Sequence, residues 1–252
     1  MSQINKDAAW LKYADKLYDF AQSVLAGSSI PISPQGAADP KVLAATLLVR
    51  TTSNFKGAMV LAREGLVVES RTLVRCCFEN LFWLGNLLKE GDKFVKEMGA
   101  DDAKSMHKRL TFILDKQLSS TDATENRLRG VAQNISEQWP KAKILNPKEV
   151  AQASVIKAGY LIYSQLSADS AHPSLTSLKR YVAHDQSTGE RGIDVSPIPP
   201  AEEVARTVNW GCMALLGACV AFNQIVGQAV AARLLNNIAD EFDAVKSKTG
   251  IE

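Results

Sequence analysis

Apolar residues recur at three- and four-residue intervals through most of this chain, and strand-like alternation never lasts more than a few residues. Such a pattern confines the fold to packed amphipathic helices. Trp10, Leu11, Ala14, Leu17, Tyr18, Ala21 and Leu25 mark a first helix over 5–25. Three prolines and two glycines in "AGSSIPISPQGAADP" interrupt it. A second helix follows Pro40 and runs to Gly65, a residue suited to ending one. The third spans "ESRTLVRCCFENLFWL" and continues to Lys89. "EGD" separates it from a more polar helix over 93–118, and a short one follows around "ENRLRGVAQNISEQW".

Helix restarts at "NPKEVAQAS", where Asn146 can cap, Pro147 suits the first turn and Glu149 suits the dipole. That helix is expected to run to Ala171, and Pro173 ends or kinks it. "HDQSTGERGIDVSPIPP" reads as the main loop, with "GIDVSPI" its only strand-like piece. A last helix is expected over 200–245. Its centre, "VNWGCMALLGACVAF", is apolar almost all round, yet Arg206, Asn209, Asn223 and Gln224 interrupt any extension to the roughly 20 apolar residues of a membrane span. It is read as a buried core helix whose small residues allow close packing inside the monomer, across a homodimer, or both.

The expectation is therefore a single all-α domain over 1–252. It is a bundle of about five to seven helices, with the third, the 148–171 and the long, largely buried C-terminal helix at its centre. Hydrophobic content of 46% among 252 residues supplies a sizeable core, and a net charge of +2 is too mild to mark a dedicated nucleic-acid binder. The N-terminus is amphipathic rather than leader-like, so a cytoplasmic protein is expected. Cys76 and Cys77 are adjacent, and Cys212 and Cys219 on one helix would stand roughly 10 Å apart, so reduced, buried thiols are expected. No C-x-x-C pair or two-histidine helix occurs, and neither a metal nor a cofactor is expected.

Two polar clusters stand out against this apolar background. Arg71, Arg75 and Glu79 are spaced by four and share one face of the third helix. "YSQLSADSAHPS" supplies Tyr163, Ser164, Ser167, Asp169, Ser170 and His172, with Tyr160, Tyr163 and Ser167 on one face. His172, beside Pro173, is placed to titrate near neutral pH or to donate from both ring nitrogens. His107 is expected to meet solvent. Arg180 and His184 have three residues between them and so miss the four-to-six spacing of the Arg-then-His motif in HEPN-type ribonucleases.

"LVRCCFENLFWL", "NPKEVAQAS" and "YLIYSQLSADSAHPSL" together resemble an uncharacterised family of bacterial helical domains, over roughly 43–181. That family carries an Arg-x-x-x-Glu helix and a later Tyr-x-x-Leu-Ser…His-Pro-Ser segment. Its distinctive positions fall on Arg75, Glu79, Tyr163, Ser167, His172 and Pro173, and it is distantly similar to HEPN-like bundles. The resemblance implies a phage-defence or stress setting and leaves the reaction open.

Two readings stand. In the first, both clusters meet in a pocket for an anionic ligand, a nucleotide or RNA phosphate. Arg75 holds the anion, Glu79 orients Arg75 or His172, and His172 acts as acid/base if a metal-independent, ribonuclease-like reaction occurs. Arg71, Tyr163 and Ser167 are the further ligand contacts. In the second, the clusters form a buried network that fixes helix register in a non-catalytic interaction module, and the last helix dimerises. No membrane partner is expected.

Overall fold

The computed structural model describes residues 6–118, 121–171, 173–184, 187–227 and 229–251. The fold is all-α. Ten α-helical segments occur among the described residues: α1 (Lys6–Ala26), α2 (Pro40–Arg63), α3 (Val67–Glu90), α4 (Asp92–Asp115), α5 (Asp122–Gln138), α6 (Pro147–Ala153), α7 (Gly159–Leu166), α8 (Leu175–Leu178), α9 (Ala201–Val226) and α10 (Ala229–Thr249). This exceeds the five to seven expected, because two segments read as single helices are each broken and the short α8 was not anticipated.

The 148–171 segment is not one helix. Ser154 accepts a hydrogen bond from the Ile156 amide and turns the chain between α6 and α7. A π turn at Ser167–Ala171 then follows α7. The 200–245 helix is likewise two, since Gly227 takes a left-handed conformation (φ +75°) after Val226. α10 returns along α1: Tyr13 donates to the Ile238 carbonyl at 3.0 Å and Trp10 Nε1 to Thr249 Oγ1 at 3.0 Å. Phe242 packs edge-on against both rings.

The centre also differs from the expectation. α1, α2, α3 and α9 form it, and the α6–α7 segment covers a flank of α3. Trp10, Leu17, Leu48, Phe55, Val74, Phe82, Val208, Leu215 and Phe222 are wholly buried there. The small residues of α9 are used inside this core. A Cβ at Gly211 would lie 3.2 Å from Met59, and one at Gly217 would lie 3.1 Å from Leu81. α9 is the one helix among the described residues long and apolar enough to span a bilayer, and 67% of its most apolar window is buried in the bundle. Cys77, Cys212 and Cys219 are buried free thiols, and Cys76 is half-buried.

Asp39 caps α2 by accepting from the Lys41 amide at 2.8 Å, ahead of Pro40. Asn146 caps α6 in the same way through Lys148 N at 2.9 Å. The loop that follows α8 holds a short antiparallel hairpin, β1 (Val182–His184) with β2 (Arg191–Ile193), so its strand-like piece pairs at Gly192 and Ile193.

Candidate functional site

α7 lies antiparallel along α3, because Tyr163 meets Glu79 while Asp169 meets Arg71. Gly159 permits that approach at its upper end: a Cβ there would be 3.2 Å from Phe82 and 3.4 Å from Phe78. Leu166 and Tyr163 bury the inner face of α7, with the Tyr163 ring edge-on to Phe82 at 5.7 Å. The polar side chains that remain line a seam between the two helices, and they divide into two groups.

The first group joins Arg75, Glu79, Tyr163 and Ser167. Arg75 Nε donates to Ser167 Oγ at 3.0 Å, and Nη2 donates to Tyr163 Oη at 2.7 Å and to Glu79 Oε1 at 3.0 Å. Tyr163 in turn donates to Glu79 Oε1 at 2.8 Å, and Ser167 donates to the Tyr163 carbonyl at 2.9 Å. The guanidinium also stands 4.9 Å from the Tyr163 ring centre, a cation–π distance, and the Tyr160 ring stacks on the Tyr163 ring with centroids 5.8 Å apart. Arg75 and Glu79 keep 23% and 29% of their side chains exposed, so solvent reaches the group. Burial, then the hydrogen bond to Glu79 and its charge, push the Tyr163 phenol up to about 12, so it remains a neutral donor. Burial and Glu79 also raise the Cys76 thiol, which removes it as a ready nucleophile.

One helical turn below, Arg71 belongs to a different group. Its Nε donates to Thr207 Oγ1 at 3.1 Å, and Nη1 pairs with Asp169 and, at 2.9 Å, with Glu203. Arg180 pairs with the same two carboxylates, at 2.9 Å to Asp169 and 3.2 Å to Glu203. Two arginines thus alternate with two carboxylates, and the charges cancel. Burial works against the charge on Arg180, but Asp169 and Glu203 outweigh it and hold the guanidinium above its ordinary value. The π turn carries Asp169 into this group directly after Ser167 has served the other. Thr72 further donates to the Ser170 carbonyl at 3.4 Å.

Of the residues singled out in the sequence, Arg75, Glu79, Tyr163 and Ser167 come together, and Arg71 sits apart with Asp169. Ser164 faces solvent. His172 lies outside the described residues. His107 is half-buried on α4, and His184 is exposed on β1. Arg180, Glu203 and Thr207 are the site residues that sequence reasoning missed; no local spacing ties Glu203 on α9 to α3. Beside Arg71 a cleft of about 770 Å³ opens between α7, α9 and the end of α10. Gln165, Asp169, Arg206, Trp210 and Met213 line it, and Arg71 lies 5.8 Å from the Trp210 ring. It borders the face of α7 turned away from Tyr163, so Arg75 does not reach it. Among the described residues no three His, Cys, Asp or Glu side chains gather as a metal site would require.

Residues 41–190 match a family of unknown function, DUF5677. This chain belongs to that family. No curated protein and no solved structure matches it. All four members of the Arg75 group lie within the DUF5677 match, on α3 and α7. The Arg71 group does not, because Glu203 and Thr207 on α9 fall beyond it.

Proposed function

We propose that the Arg75 group is a recognition site for an anionic ligand, a nucleotide or an RNA phosphate, with Arg75 as its anchor. One observation carries this reading. The guanidinium is fixed by Ser167, Tyr163 and Glu79, is partly exposed, and spends only Nε and Nη2 on those partners. Its Nη1 makes no hydrogen bond among the described residues and is a pre-oriented donor for a phosphate oxygen. Tyr163, held neutral, adds a hydroxyl that can turn from Glu79 toward the ligand. Cleavage of an RNA ligand would rest on His172 as acid/base, and the HEPN-like resemblance supports that extension and a cytoplasmic defence or stress role.

Equilibrium dialysis with mononucleotides and short RNA oligomers tests this reading on the parent, Arg75→Gln and His172→Ala proteins. Arg75→Gln is expected to weaken binding at least about tenfold while thermal unfolding shows a folded chain. His172→Ala is expected to retain binding and lose any cleavage. A parent that binds none of these at millimolar concentration overturns the reading, as does binding that Arg75→Gln leaves unchanged.

The charge balance of the Arg71 group favours the second reading for that part of the seam. Its two arginines are balanced by two carboxylates, with Thr207 accepting from Arg71 Nε, an arrangement suited to fixing the register of α3, α9 and the π turn. Arg71 is accordingly assigned to architecture, and Arg75 to the ligand.

A further inference from the structure

α4 and α5 form an arm that is poorly provided for within the monomer. They run antiparallel, with Gly99 beside the Trp139 ring. α4 is anchored on α3 only near its start, where the buried Phe94 meets Trp83 edge-on at 6.4 Å, and Asp101 ties the arm to the Leu145 amide at 2.8 Å. Beyond that, Leu110 is the only other buried residue of α4, and α5 buries none. Leu128, Val131, Ala132, Ile135 and Trp139 nonetheless follow the spacing of an apolar stripe. Met106, Phe112 and Trp139 are 46%, 58% and 37% exposed. A helix pair of this length ordinarily draws its stability from a further packed layer.

The charges on the arm say what that layer is. Its base, residues 92–103 and 131–138, carries five carboxylates and two lysines, a net charge of −3. Its tip half, residues 104–130, carries six Lys and Arg and three carboxylates, a net charge of +3. A surface polarised in this way along its length complements a copy of itself turned end for end. A two-fold axis across the arm does that, setting each basic tip against the partner's acidic base. The size also fits. α4 and α5, about 36 Å and 26 Å long and each about 10 Å wide, offer a face on the order of 600 Å² per copy, about three quarters of the roughly 800 Å² of a stable interface.

We propose that the α4–α5 arm is the homodimer interface of this protein, two arms packing antiparallel into a four-helix layer. This differs from dimerisation through the last helix, whose small residues are occupied inside the core. Sedimentation at micromolar concentration tests it with exposed charges. The parent is expected to be a dimer that weakens in high salt. Reversing the tip (K108E with R109E) or the base (E97K with D102K) should each raise the dissociation constant at least about tenfold. Combining all four substitutions should restore much of the dimer, because the reversed tip again faces a reversed base. Circular dichroism of each variant verifies that the chain stays folded. A monomeric parent overturns the proposal. So does a dimer indifferent to both reversals, or a fourfold variant no better associated than either pair alone.

Discussion

The Tyr163 hydroxyl donates to Glu79 Oε1 at 2.8 Å, joining residues 84 apart in sequence across the seam between α7 and α3. The same carboxylate oxygen receives Arg75 Nη2, and the same hydroxyl accepts from it. Removing the phenol oxygen therefore deprives two charged groups of a partner at once. Tyr163→Phe is expected to cost about 1–3 kcal/mol in chemical denaturation, and a neutral result would show that water replaces the hydroxyl without loss.

The same residue fixes a pH dependence. Its phenol titrates at about 12 in the fold, against about 10 when unfolded. The folded state thus favours the protonated form. Its contribution is complete below pH 10 and is lost as pH rises through about 12. Stability measured from pH 9 upward should fall, and Tyr163→Phe should flatten part of that fall. Tyr13, raised by burial first and by nearby Cys212 and Glu241, contributes the same sign, so the slope is reduced and not abolished.

Asp169→Asn is expected to destabilise strongly, by roughly 3 kcal/mol, because Arg71 and Arg180 are left sharing Glu203 alone in a mostly buried setting. Glu202→Gln is the control: its pair with Arg206 is about half exposed, and its loss should fall within about 0.5 kcal/mol. Equal effects from the two variants would contradict the assignment of the Arg71 group to architecture.

Asn209 is fully buried on α9, and neither its Oδ1 nor its Nδ2 has a partner among the described residues. An unpaired buried amide carries a desolvation cost of about 1–3 kcal/mol. Asn209→Ala should therefore raise the melting temperature by about 2–4 °C per kcal/mol recovered. A lower melting temperature would mean that the amide is hydrogen-bonded in solution.

Local chemistry made the helix starts readable from the sequence: Pro40, and Asn146 with Pro147, stand where α2 and α6 begin. The internal breaks were hidden for a physical reason. Apolar spacing continues through Gly227 into α10, and the turn at Ser154 relies on a side-chain bond that carries no strong composition signal. At the seam, the four-residue spacing of Arg75 and Glu79 and of Tyr163 and Ser167 placed two complementary stripes on two helices. Pairing Arg71 and Arg180 with Glu203 requires knowing how α9 returns to α3, and no local period encodes that return.

The wall that α9 builds against α3 has a consequence for how this family is to be delimited. The similarity that defines membership stops at residue 190, eleven residues before α9 begins. Yet Val74 and Leu81 of α3 pack on Gly211 and Gly217, and Arg71 reaches Thr207. A fragment cut at 41 and 190 would bare the inner faces of α2 and α3 and should not fold cooperatively. The stretch that matches the family and the set of helices that pack together have different borders here.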